Sequence, residues 1–462
     1  MLVQHRSILF WIIQVSYLFL IAMTILFFQE RLLSDTSYYF FKTLNQQQFH
    51  VEHQRYVLAI AELPVYLLSN MGAPLKVIVI VFSVWHVVYF YLIGFVLFKK
   101  YKSIYPWLLL LLLQLIGVVY GFVCPIFEQY YGTALAVLFY FVLKQHSRIS
   151  IKSNILSLFL FAMIIMSHPF NAVLAIFILA LDYIEYRNIK KYIPYLLLIP
   201  LFILFKKLTA SEYESGKMNW IFDLKHNKTY EMLFQKEHII RRIQFLFSHY
   251  YEVLIGLVVI LSYYIYSKSL LKFFIVASFF AGAMLLINFS YNIEELTRYH
   301  EQVYYLIVPI VFIPFILDFY ANLSNKMVKG CFTFLLLVVI FNRMWKQKEI
   351  AEFYTAKQAM VEAWIQKGQF QQGSKFYIFK SSYPELQQMM DWDIPYYSLM
   401  MSSMKHYTKQ VTIFPIEEKI SEVNPIATDE YWFRAGEKEK ISTLNKQYFQ
   451  LGDTTRLYEE LK

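Results

Sequence analysis

Long, uninterrupted apolar runs dominate the pattern along this chain. Ile8 to Phe28 and Val77 to Phe98 each exceed twenty residues without a charged side chain, enough to cross a hydrocarbon core as an α-helix. Further apolar segments follow at Trp107 to Phe122, Tyr131 to Leu143, Ile155 to Met166, Ala172 to Ile184, Ile193 to Phe205, Val253 to Tyr266, Phe273 to Ile287, Val303 to Phe319 and Val328 to Phe341. A transmembrane β-strand would alternate polar and apolar positions over about ten residues, and these runs do not. The pattern predicts an all-α polytopic membrane protein of about 11 transmembrane helices. Several segments are shorter than the roughly 20 residues of an ordinary span, which points to tilted, kinked or bundle-buried helices. At Ser167-His168-Pro169 either one bent helix or two short spans fit; basic residues at both ends of the region favour two.

The ends of the chain read differently. The first run is too long for a signal peptide, and no small-residue cleavage site precedes Gln29-Glu30-Arg31, so it reads as a retained helix. After Asn342 the composition turns polar. Ala351 to Lys367 has helical character, and Lys375 to Phe379 and Gln410 to Ile416 read as short strands around a helical stretch near Leu386 to Met404. Residues 1–342 are thus expected to form the transmembrane domain and 343–462 a small α/β domain. Trp392, Pro395, Tyr396 and Tyr397 serve either to pack that domain onto the membrane part or to line an aromatic acceptor groove.

Charge supplies an orientation. Only 16% of residues are charged, against about 25% in soluble domains. The net charge of +10 reads through the positive-inside rule rather than as a nucleic-acid footprint. With the N-terminus in the cytoplasm, the short inner loops carry Lys99, Lys100, Lys102, Lys144, Arg148, Lys152, Arg187, Lys190, Lys191, Lys268, Lys272, Lys326 and Lys329. The short outer loops, Cys124 to Tyr130, Ser167 to Asn171 and Ser290 to Gln302, carry Arg298 alone. The C-terminal domain then lies outside, with the large loops 29–76 and 206–252. Cys124 and Cys331 fall on opposite sides, which argues against a disulfide, and two cysteines cannot build a metal cluster.

Polar residues gather on the predicted outer face. The first loop opens with Ser34-Asp35-Thr36-Ser37-Tyr38-Tyr39-Phe40, continues through Phe49-His50-Val51-Glu52-His53-Gln54-Arg55-Tyr56 and ends near Glu62. Short outer loops add Glu128, His168, and Glu294, Glu295, Arg298, His300 and Glu301. An N-in first helix followed by a long external loop, with an Asp just past the membrane, resembles the GT-C superfamily of membrane glycosyltransferases. Asp-x-x-Tyr-Tyr and the following His-x-Arg are similar to bacterial members. The superfamily often carries a paired acidic motif here; in this chain Asp35 stands alone beside Thr36. The resemblance implies a multi-pass protein of the cell inner (cytoplasmic) membrane in cell-envelope polysaccharide biosynthesis. It would transfer a sugar, with inversion, from a polyprenyl-phosphate or -pyrophosphate carrier to a glycan, lipid or protein acceptor. A divalent metal cofactor stays an open point.

On that resemblance Asp35 is the expected general base, since a carboxylate in reach of a weakly nucleophilic hydroxyl can take its proton. Tyr38, His53, Arg55, Glu128 and Arg298 are the expected substrate-binding residues, with Arg55, Arg298 and the Arg241-Arg242 pair as candidates for the carrier phosphate. Most have a plainer reading. Asp35 also suits a helix cap, Arg55 a pair with Glu52 or Glu62, and Glu128 a solvated or metal-ligating charge. His53 and His168 suit structural positions, and Arg241-Arg242 an amphipathic segment lying on the interface. Two other functions fit the span pattern: a polysaccharide polymerase or ligase using the same class of donor, and a transporter. The transporter reading would need ionisable residues near the midplane, where His86 is the main one. A non-catalytic membrane scaffold also fits.

Overall fold

The computed structural model describes residues 2–144, 151–210, 215–216, 235–290, 297–384, 386, 391–405, 409–417, 427–434, 437–452 and 456–461, with side chains for all but 2–7, 151, 152, 297, 298 and 434. The chain is mostly helical. Its helices are α1 (Leu2–Leu26), α2 (Asp35–Gln46), α3 (Leu58–Asn70), α4 (Leu75–Tyr101), α5 (Tyr105–Leu115), α6 (Glu128–Lys144), α7 (Ile151–Ser167), α8 (Pro169–Tyr186), α9 (Ile193–Thr209), α10 (Lys236–His249), α11 (Tyr251–Tyr266), α12 (Leu270–Ser290), α13 (Thr297–Tyr304), α14 (Ile307–Pro314), α15 (Lys326–Phe370) and α16 (Ile394–Lys405). Helix forms in each of the eleven apolar segments. Among the described residues six helical stretches are long and apolar enough to cross a membrane, and a seventh counts if α10 and α11, bent by 87° at their junction, are one span. The remaining predicted spans fall on α5, α6, α7 and α9, each of 17 residues or fewer.

The helix ends follow local chemistry. Pro169 opens α8 in its first turn, where a missing N–H costs nothing, and His168 caps it by accepting the Phe170 N–H at 3.2 Å. The chain is therefore broken at His168 into two helices that pack on each other and on α6. Gly132 of α6 sits directly against Ser167 and Asn171; a methyl group there would collide with both side chains. Asn171 donates to the Gln129 carbonyl at 3.2 Å, tying the first turn of α6 to the start of α8. After α5 the chain turns at Gly117, whose φ of +75° suits glycine.

One end of the bundle is rich in ion pairs. Lys191 bonds Asp182 at 2.5 Å, and Lys272 bonds both Glu185 at 2.8 Å and Asp318 at 2.9 Å. Lys144 also reaches Glu185, at 3.2 Å. Lys144, Lys191 and Lys272 are among the residues assigned to the inner face. Along α6, Lys144 stands about 24 Å from Glu128 at 1.5 Å per residue, so the two lie at opposite ends of the bundle.

The polar shift after Asn342 does not coincide with a break in the chain. α15 is a single helix of 45 residues that runs through it. Beyond it lie β1 (Lys375–Phe379), β2 (Thr412–Ile416), β3 (Glu430–Arg434), β4 (Glu437–Lys440) and β5 (Glu459–Glu460). β1 is central and parallel to both β2 and β5, with Lys375 opposite Thr412 and Phe376 opposite Glu459; β3 and β4 form an antiparallel pair. α16 covers this small sheet, its Ser398 and Ser402 hydroxyls accepting the N–H groups of Ile413 and Val411 at 3.0 Å. The sheet does not stand apart from the helices. Phe41 of α2 meets Phe449 at 4.9 Å and Phe433 at 5.5 Å between ring centres, Tyr396 stacks on Phe433, and Lys42 pairs with Glu439. The segment expected as an external loop, 29–76, is thus two helices sharing a core with the C-terminal sheet.

Candidate functional site

A cavity of about 750 Å³ opens where α2, the His50 to Arg55 segment, the starts of α6 and α8, α13 and the C-terminal region meet. Asp35, Tyr38, His53, Arg55, Glu128 and His168 all line it, with Tyr39, Glu52, Phe127, Tyr299, Gln302, Trp392 and Glu437. Five of the six residues expected at the site therefore share one cavity. The sixth, Arg298, precedes the cavity-lining Tyr299 in α13, but its side chain lies outside the described residues.

Asp35 enters through an unusual turn. The Leu33 carbonyl accepts the Thr36 N–H at 3.1 Å, and Ser34 between them has φ 56° and ψ −124°, the corner of a type II′ turn that glycine normally fills. A serine there costs about 1–3 kcal/mol. Three contacts hold it. The Ser34 N–H donates to Asp393 Oδ2 at 2.6 Å, the Ser37 hydroxyl donates to the Ser34 carbonyl at 2.6 Å, and the Tyr38 N–H reaches that carbonyl at 3.2 Å. Asp393 is itself fully buried and paired with the buried Lys357 at 2.7 Å. Asp35 thus begins α2 and supplies the acidic residue of its first turn, a placement the helix dipole favours.

The other side chains are held by one another. Arg55 is ion-paired with Glu128, neither with Glu52 nor with Glu62. Glu52 accepts the Tyr38 hydroxyl at 2.5 Å, the Tyr39 hydroxyl at 3.2 Å and a bond from His50 at 3.0 Å. Burial alone would push the Glu52 carboxyl up; the bonds from His50 and Tyr38, with the charges of His50 and His53, hold it down at about 2. The Tyr38 hydroxyl thus donates to Glu52 and also lies 3.4 Å from His50 Nε2. His53 and Gln54 both adopt left-handed backbone, φ 54°, and His53 Nε2 stands 3.9 Å from Glu52. Tyr39 is pushed well up by burial and then by Glu128, Glu52 and Asp35, with Arg55 opposing, which places those four charges around one phenol. Burial, reinforced by Arg55 and Lys206, holds the His168 imidazole far below its usual range and so neutral.

Other expected residues lie elsewhere. Arg242 is buried against His238 and Tyr304, Arg241 is exposed, and neither lines the cavity. Glu301 accepts the Tyr120 and Gly121 N–H groups at 2.8 and 3.0 Å, a structural tie. His300 is buried beside Phe245; Glu294 and Glu295 lie outside the described residues. Pro395, Tyr396 and Tyr397 are buried packing, whereas Trp392 reaches the cavity. Among the residues not anticipated are Phe127, Tyr299, Gln302 and Glu437 in the lining and the Lys357–Asp393 pair behind it. Gln302 lies one helical turn beyond Arg298 and is 1% exposed, and its Nε2 finds no acceptor among the described residues. Nothing local in the sequence marks Glu437 or Asp393.

Among the described residues no group of three or more His, Cys, Asp or Glu side chains is arranged to hold a metal ion. Both cysteines are free; Cys124 accepts the Thr36 hydroxyl at 3.3 Å behind the Asp35 turn. No family model, no characterised protein and no solved structure matches this chain.

Proposed function

We propose that this protein is an inverting membrane glycosyltransferase that takes a sugar from a polyprenyl-phosphate or -pyrophosphate carrier, with Asp35 as general base. One observation carries the reading: Asp35, Tyr38, His53, Arg55 and Glu128 line a single cavity together with Trp392 and Glu437 from the far end of the chain. The lining suits a sugar. Rings of Tyr38, Tyr39, Phe127, Tyr299 and Trp392 offer apolar faces to the C–H faces of a pyranose, while carboxylates accept from its hydroxyls.

In the reaction the acceptor hydroxyl attacks the anomeric carbon while the bond from that carbon to the carrier phosphate breaks. The phosphate leaves with the electron pair, and the hydroxyl proton passes to Asp35. Arg55, anchored on Glu128, and Arg298 are the cations assigned to the leaving phosphate. Eleven crossings, with the N-terminus inside, fit the placement of the lysine-rich ion pairs at one end of the bundle and the cavity at the other. The same pairs weigh against a coupled carrier: Asp182, Glu185 and Asp318 are each bonded to a lysine at that end.

The test is sugar transfer from a defined polyprenyl-linked donor by purified protein in detergent. Asp35→Asn should lower turnover by roughly two to four orders of magnitude with donor binding nearly intact. Should the Asn variant keep most of its turnover, the base must be sought at Glu128 or His53, or the transferase reading abandoned.

A further inference from the structure

We infer that Asp393, backed by Lys357, is a positioning residue for Asp35: the C-terminal region holds the catalytic turn in its active shape. This rests on the reading of Asp35 as the base. The geometry is specific. Ser34 occupies the glycine-type corner of the turn that presents Asp35, and its N–H points into the Asp393 carboxylate at 2.6 Å across 359 positions of sequence. The second carboxylate oxygen is taken by Lys357 Nζ at 2.7 Å. Both side chains are buried, 0% exposed for Asp393 and 2% for Lys357.

A buried ion pair is seldom retained for net stability, since well-packed apolar residues often do as well. Here it has a second task. A charged acceptor makes a stronger bond to a backbone N–H than a neutral one, and this bond opposes the tendency of a non-glycine residue to leave a positive φ. Without it, Ser34 relaxes toward negative φ, and Asp35, the next residue, swings away from the cavity. Lys357, bonded to the other carboxylate oxygen, fixes the orientation of the Asp393 side chain. Asp393 and Lys357 do not appear among the cavity-lining residues, so they act through Ser34 and not on substrate.

Three variants separate this role from general damage. Lys357→Met with Asp393→Asn removes the ion pair but keeps an oxygen acceptor for Ser34. Lys357→Met with Asp393→Leu removes both. The third adds Ser34→Gly to the Leu variant, because glycine holds the corner unaided. Turnover and donor KM are measured on each, with hydrogen exchange of the Ser34 and Thr36 amides in the folded, detergent-solubilised protein.

The Leu variant should lose about 10- to 100-fold in turnover, the scale of an ångström misplacement, with KM nearly unchanged and both amides exchanging faster. The Asn variant should keep most turnover, and Ser34→Gly should recover at least about tenfold of the Leu variant's loss. Full turnover and unchanged exchange in the Leu variant overturn the proposal, as does a loss that glycine fails to rescue. If Asp35→Asn is itself active, the base reading fails on its own, and the exchange data still decide whether Asp393 holds the turn.

Discussion

The guanidinium of Arg55 is ion-paired with the carboxylate of Glu128, joining the segment after α2 to the first turn of α6 inside the cavity. The Glu128 side chain is only 5% exposed, so the carboxylate is largely cut off from water. Arg55→Ala should lower stability by about 2–3 kcal/mol, because an unpaired buried charge is costly. Removing both with Arg55→Met and Glu128→Leu should cost less than the sum of the single changes, the signature of a direct pair. Arg55→Lys should recover stability in part, yet leave donor KM raised, since an ammonium lacks the two-pronged fork. Thermal unfolding and transfer kinetics on the wild type, Arg55→Met, Glu128→Leu, the double variant, Arg55→Ala and Arg55→Lys check this; additive losses in the double variant would remove the pair from the account.

Glu62 sets a pH dependence of stability. It is fully buried in α3, where burial first and the Glu52 charge second push its carboxyl up from 4.5 to about 8 against the pull of the His50 N–H. Below about 4.5 the folded and unfolded chains both hold the proton. Between about 4.5 and 8 the folded chain keeps a proton the unfolded chain has released, so stability falls as pH rises through that window. Glu62→Gln should flatten the fall and raise Tm at pH 9 relative to wild type, with little change at pH 5. Parallel Tm curves for the two proteins between pH 5 and 9 would refute it.

Ser34→Gly alone should stabilise the fold by about 1 kcal/mol, relieving the positive φ and removing a buried hydroxyl. The Ser34 Oγ has no hydrogen-bond partner among the described residues. Ser34→Ala is the control, because it removes the hydroxyl but keeps the strained backbone. Equal stabilities of the Gly and Ala variants would show that strain at this corner is not stored.

Orientation can be read by labelling. Three predicted spans separate Lys268 from the C-terminal region, so the two should lie on opposite sides. Lys268 is exposed, and a side chain at Gly452 would meet no atom within 4 Å. In a background with the exposed Cys331 replaced by Ser, an impermeant maleimide should label Gly452→Cys in intact cells and Lys268→Cys only after permeabilisation. Reversed labelling would place the cavity on the cytoplasmic face and remove the lipid-carrier mechanism in its proposed orientation.

The apolar runs alone determined that the chain is helical and built for a membrane. Burial in lipid is a property of each residue in turn, so it is written linearly, and helix forms in every segment the pattern marks. The gathering of Asp35, Tyr38, His53, Arg55 and Glu128 was likewise readable, because alternating spans bring the ends of their connecting segments to one face. The polar shift at Asn342 was a weaker guide. It records a change in surroundings, and α15 continues through it because no proline or glycine interrupts the backbone there.

Only the tertiary structure decided who pairs with whom. Arg55 had acids close by in sequence and took Glu128, 73 positions away; Ser34 took Asp393 from the opposite end of the chain. Buried charges and unpaired N–H groups find partners by distance in space, and that distance is a product of all the packing between them. The same holds for Trp392 and Glu437, which reach the cavity because Phe41 and Lys42 of α2 dock the C-terminal sheet beside it. No local pattern in the sequence carries that information, since it arises from contacts between segments that are separated by most of the chain.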